Sequence, residues 1–78
     1  MRKRLRSERI RMRLSQAEMA EYLGITQPAY SMVESGTRAG RKDLWEDLER
    51  LFRVDQKVLK ENSEDNNGIR SVGRNAGV

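Results

Sequence analysis

Histidine and cysteine are both absent from this 78-residue sequence, which leaves carboxylates, amines, guanidinium groups and two tyrosines as its reactive side chains. Their absence removes disulfide frameworks, thiolate zinc sites, cysteine nucleophiles and the commonest general base together. Glu18, Glu21 and Tyr30 have structural or solvent explanations and no partner constellation, so neither an enzyme nor a metal or other cofactor is expected. The basic side chains suit a different chemistry. Residues 1–13 hold Arg2, Lys3, Arg4, Arg6, Arg9, Arg11 and Arg13 against the single acid Glu8. Residues 35–42 hold Arg38, Arg41 and Lys42 with no acid, and residues 14–34 between them carry three acids and no base. The net charge of +4 therefore conceals two basic clusters. Clusters placed this way suit phosphate contacts on either side of a surface that meets bases. Ordinary solvated charge on helix faces is the alternative for either cluster taken alone.

A chain of this length buries one modest core and is limited to one domain. Hydrophobic residues make up 36% and aromatics 5%, which favours short helices packed through Leu, Ile, Val, Met and Ala over a sheet sandwich. The basic N-terminus lacks the run of about 7 to 15 apolar residues that a secretory signal needs, and nothing approaches a span of about 20. A cytoplasmic protein with no membrane association is the expectation.

The elements that must position these side chains read as follows. Arg4 to Met12 contains good helix formers and no Gly or Pro, with Leu5 and Met12 on one face and Ile10 at its edge. Ser15 and Glu18 form a capping box for a second helix whose apolar face is Met19, Ala20 and Leu23. Gly24 stops that helix, Ile25 turns inward, and Thr26 caps a third helix from Gln27 to about Glu34 with Pro28 in its first turn. Tyr30 and Val33 face the core from this helix, and Gly36 ends it. After a polar loop, a fourth helix starts near Asp43 with Leu44, Leu48, Leu51 and Phe52 in register and Trp45 at the margin. Asp55 can cap a short fifth helix that packs through Val58 and Leu59, behind a buried Val54. From Asn62 onward Asn, Ser, Gly and charge dominate, so residues 62–78 are expected to be a tail disordered on its own.

Two short helices around a tight glycine turn are a weak signal alone. Particular residues sharpen it: Arg9, Leu14-Ser15-Gln16, Met19-Ala20, Leu23-Gly24-Ile25-Thr26, Tyr30, Val33, and Glu34-Ser35-Gly36, followed by Phe52, Val54 and Leu59. With these, the stretch from about Leu5 to Leu59 resembles the DNA-binding domain of the phage Cro and CI repressor group, often called the Xre family. The resemblance implies an all-α, five-helix lambda-repressor-like domain over residues 4–61, with the helix-turn-helix at 15–34 and a flexible C-terminal tail.

In that family the second helix crosses the DNA backbone and the third lies in the major groove. The resemblance puts Gln27 at a base-reading position, where its amide can bond adenine N6 and N7 in a bidentate pair. Pro28, Ser31 and Met32 fall where relatives place base or near-base contacts. Pro28 and Met32 suit a thymine methyl, with partly exposed packing the other reading of Met32, and Ser31 suits a base or a phosphate. Gln16, Thr26, Arg38, Arg41 and Lys42 are phosphate candidates by position, with Arg11 and Arg13 as further ones. In relatives an Arg at position 9 and a Glu at position 34 form a partly buried structural ion pair. Arg13 and Arg53 stand where the family often has glycine, so these helix ends are expected to close differently.

The function implied is a sequence-specific regulator, a repressor on a palindromic operator, acting on double-stranded DNA as a homodimer. The alternative is an antitoxin or adaptor whose primary role is protein–protein interaction, with a toxin or co-regulator meeting Leu44, Trp45 and the Ile69–Val72 segment. The dimer surface has two candidate sources, the fifth helix with Trp45, or the tail adding a strand across a two-fold axis, with core packing rather than interface the other reading of Trp45.

Overall fold

A computed structural model describes residues 1–62 and contains five α-helices among them, with no strand. They are α1 (Lys3–Arg11), α2 (Gln16–Leu23), α3 (Gln27–Ser35), α4 (Lys42–Phe52) and α5 (Gln56–Lys60). The expected flexible tail and its Ile69–Val72 segment fall outside the described residues, apart from Asn62.

Local chemistry sets most of the boundaries. At α2 the Ser15 hydroxyl accepts from the Glu18 N–H while the Glu18 carboxylate accepts from the Ser15 N–H, at 3.0 and 2.8 Å. This reciprocal pair satisfies two donors at the helix start. Gly24 ends α2 at φ 71°, donating to Glu21 O while Ile25 N–H reaches Ala20 O, the two bonds of a Schellman motif. Thr26 caps α3 by accepting from Ala29 N–H, with Pro28 in the first turn. Gly36 closes α3 as Gly24 closes α2, with Gly36 N–H on Val33 O and Thr37 N–H on Met32 O.

Two helix ends correct the sequence reading. Arg13 and Arg53 adopt the same left-handed conformation that glycine favours, at φ 59° and 57°. Arg13 N–H reaches Ile10 O and Leu14 N–H reaches Arg9 O, the Schellman pair again. Arg53 N–H reaches Glu49 O in the simpler single-bond closure. The satisfied carbonyls and the packing beyond each turn outweigh a left-handed cost of about 1 to 2 kcal/mol per residue.

The core is built by Leu5, Met19, Ala20, Tyr30, Val33, Leu44, Trp45, Leu48, Phe52 and Leu59, with Leu14, Leu23, Ile25, Leu51 and Val54 packed against it. α2 packs on α3, α4 on α5, and α1 lies across α5 and α3. Three expected core positions are corrected. Met12 and Ile10 are exposed, because α1 ends at Arg11 and only Leu5 of this helix enters the core, the Glu8 carboxylate being covered at the surface by Arg4 and Arg11. Val58 is also exposed, and Leu59 alone among the residues of α5 is fully buried. Trp45, expected at the margin, is 1% exposed and central. Its indole N–H donates to Ala39 O at 2.8 Å, and a Cβ on Gly40 would stand 2.8 Å from that nitrogen, so the loop closes on the ring only with glycine there.

Candidate nucleic-acid interface

α3 presents its surface by helical spacing. Gln27 and Ser31 are one turn apart, as are Pro28 and Met32, so the four form a strip along one side of the helix. Gln27 and Pro28 are exposed, Met32 is 45% exposed and Ser31 is half-buried. The strip carries no formal charge, and the one acid of α3, Glu34, points inward and is 1% exposed.

Glu34 is the centre of a polar cluster joining three helices. Its carboxylate accepts from Arg9 Nε at 2.8 Å and Arg9 Nη2 at 3.2 Å, forming an ion pair between α1 and α3. It also accepts from the Tyr30 hydroxyl at 2.8 Å and from Gln16 Nε2 at 3.0 Å. The remaining guanidinium nitrogen of Arg9 donates to Leu14 O at 2.7 Å. Burial opposes ionisation of Glu34, but the donors of Arg9, Gln16 and Tyr30 outweigh it and hold the carboxyl below its ordinary range. The hydrogen bond to Glu34 raises the Arg9 pKa. Burial, reinforced by Glu34, pushes the Tyr30 phenol upward and keeps it a neutral donor. The chemical consequence is a rigid joint, with the first turn of α2 and the last turn of α3 fastened to the same carboxylate.

Gln16 therefore has its amide on Glu34, which the sequence did not suggest. The first-turn backbone N–H groups of Gln16 and Ala17 remain without helical partners at the α2 terminus. Thr26 uses its oxygen as the α3 cap and keeps its hydroxyl proton for another acceptor. Arg38, Arg41 and Lys42 are exposed on the loop after α3 and at the start of α4. Arg41 lies 3.7 Å from Asp43, both largely in solvent, a pair worth at most about 1 kcal/mol and easily broken.

The N-terminal basic cluster is largely engaged in structure. Glu8 accepts from Arg4 at 2.9 Å and from Arg11, whose hydrogen bond is the larger cause holding the Glu8 carboxyl below its ordinary range. Arg9 is held by Glu34, and Arg2 is only 8% exposed. Arg6 and Arg13 are exposed, with no ion pair to an acid among the described residues. The spacing of Arg4, Glu8 and Arg11 at i, i+4 and i+3 offered a signal for the Glu8 pairs. The burial of Arg2 left none, because a basic residue ahead of a helix reads as solvated charge.

Leu44 and Trp45, the contacts expected for a protein partner, and Trp45 as a dimer contact, are corrected by their exposures of 8% and 1%. Among the described residues, the large apolar side chains that the surface does expose are Met1, Ile10, Met12, Tyr22, Met32 and Val58. Among the described residues no cluster of three or more potential metal ligands occurs, and no helix is long and apolar enough to cross a membrane.

A family model described as helix-turn-helix matches residues 5–55. No curated protein and no solved structure matches the chain.

Proposed function

The chain belongs to the Xre, Cro/CI-like helix-turn-helix family of DNA-binding regulators, and from that premise we propose that it is a repressor that binds a palindromic operator through the major groove as a homodimer in the cytoplasm. The observation that carries this reading is α3, an uncharged strip of Gln27, Pro28, Ser31 and Met32 on a helix whose far end is fastened inward through Glu34. Placed in a major groove, Gln27 bonds adenine N6 and N7, and Pro28 and Met32 meet thymine methyl groups. Ser31 serves a base or a phosphate. Gln16 and Thr26 at the two helix starts, with Arg38, Arg41 and Lys42 of the loop after α3 and the start of α4, contact phosphates and set register without reading sequence.

A single module of this size makes few base contacts, so pairing two of them on half-sites about 34 Å apart supplies the missing affinity and specificity. Selection of duplexes from a random library, followed by fluorescence anisotropy across a range of salt concentrations, tests the proposal. An enriched inverted repeat is expected, with affinity falling steeply as salt rises. A selection that enriches no palindromic site overturns the repressor reading.

A further inference from the structure

Arg2 lies ahead of α1 and outside the residues matched by the family model, yet it is one of three polar or charged side chains buried in the described domain. Its guanidinium meets three separate backbone carbonyls. Nη1 donates to Val33 O in the last turn of α3 and to Arg38 O in the following loop, the latter at 2.8 Å. Nε donates to Lys60 O at the end of α5 at 2.9 Å. The Arg2 guanidinium also lies over the Trp45 ring, 5.0 Å from its centroid, and the Lys60 ammonium is 5.8 Å from the same centroid. The Arg2 backbone N–H donates to Glu34 O at 2.8 Å.

These contacts converge on the C-terminus of α3 and on Arg38. The last four carbonyls of a helix have no intrahelical donor, and they form the negative end of its dipole. A planar guanidinium with five donors in a fixed fork can satisfy several carbonyls at once, which an ammonium on a flexible stem cannot do with the same geometry. The Met32 carbonyl at this end takes the N–H groups of Gly36, Thr37 and Arg38, so the closing turn and the basic loop share one anchorage.

We propose that Arg2 is a positioning residue for DNA recognition, pinning the end of α3 and the Arg38 loop to α5 and Trp45 without touching DNA itself. This rests on the function proposed above. Base readout by Gln27 depends on the angle of α3, and phosphate contact by Arg38 depends on where its loop is held. Loss of Arg2 therefore loosens both, and bound operator suffers more than bound random duplex, because random duplex makes little demand on the angle of α3.

The experiment compares the wild type with Arg2→Gln and Arg2→Lys on a duplex selected by the wild type and on a scrambled duplex of equal length. Measurements are made well below the thermal midpoint, with folding checked by circular dichroism. Arg2→Gln is expected to weaken operator binding by about tenfold and scrambled binding by less than about threefold, with Arg2→Lys between it and the wild type. Amide hydrogen exchange is expected to quicken at Gly36, Thr37 and Arg38 and to change little in α2. Equal losses on the two duplexes would mean that Arg2 contacts phosphate directly and would overturn the proposal. Unchanged operator affinity in a folded variant, or unchanged exchange at Gly36–Arg38, also overturns it. The exchange comparison needs no DNA. A wild type that prefers no duplex thus refutes the proposed function while the pinning is still judged on its own, and Arg2→Lys supplies the answer should Arg2→Gln not fold.

Discussion

Replacing Glu34 with alanine removes the acceptor for four donor bonds at once, two from Arg9 and one each from Gln16 and Tyr30. Arg9 then keeps its charge in a site where its side chain is 12% exposed, and the buried Tyr30 hydroxyl loses its acceptor. Breaking a buried pair from one side costs about 3 to 5 kcal/mol. A domain of this kind has a total stability of about 5 to 15 kcal/mol, so the change is a large part of it. At about 4 to 8 °C per kcal/mol for a domain of 60 to 100 residues, Glu34→Ala should lower the thermal midpoint by at least roughly 12 °C. Glu34→Gln keeps the shape but sets an N–H₂ group against donors, and about 1.5 to 3 kcal/mol is expected from loss of the charge-assisted bonds. Urea denaturation followed by circular dichroism measures both. The pair term is isolated by a cycle of Arg9→Met, Glu34→Leu and the double variant, in which the double is expected to be less damaged than the summed singles by about 1 to 3 kcal/mol. An unchanged urea midpoint in Glu34→Gln, or strict additivity in the cycle, would refute the view of this cluster as the joint between α1, α2 and α3.

Stability should also depend on pH through the same carboxylate. The Glu34 pKa is lowered in the folded state from a reference of 4.5, so its contribution is fully present above that value and is lost as pH falls through the folded pKa. A thermal midpoint that declines below about pH 4.5 is expected for the wild type, with a shallower decline in Glu34→Gln, where Glu8 still acts in the same direction. Arg53→Gly should raise the urea midpoint without changing the m-value, by about 0.5 to 1 kcal/mol, since relief of the left-handed strain exceeds the added chain entropy. Gly40→Ala should cost about 1 to 3 kcal/mol, because the new methyl meets Trp45 Nε1 at 2.8 Å, and the tryptophan emission should shift to the red in the folded protein.

The parts of the fold legible in the sequence are those set by chemistry within a few residues. Ser15 with Glu18, Gly24, Thr26, Pro28 and Gly36 each act on the backbone beside them, and the leucines of α4 repeat at helical spacing. What was illegible depends on partners far along the chain. Trp45 sits in the core with Arg2 over its ring and Ala39 accepting its N–H, contacts that no local pattern encodes. Met12 shares a helical register with Leu5 but lies past the end of α1, where periodicity no longer applies. Arg13 and Arg53 are left-handed because hydrogen bonds and packing override residue preference. At the proposed recognition surface the exposure of Gln27, Pro28 and Met32 follows from helical spacing once Tyr30 and Val33 are placed inside. The turning of the Gln16 amide onto Glu34 does not, because α2 and α3 must first be packed together.

The central claim is that α3 reads sequence through Gln27, and the most direct test repeats the random-library selection with Gln27→Ala beside the wild type. The reading predicts a consensus relaxed at one base pair per half-site, with about 1 to 3 kcal/mol of discrimination lost there and the remaining positions kept. An unaltered consensus accompanied by an equal loss of affinity for every duplex would contradict it, since Gln27 would then position the protein without reading a base.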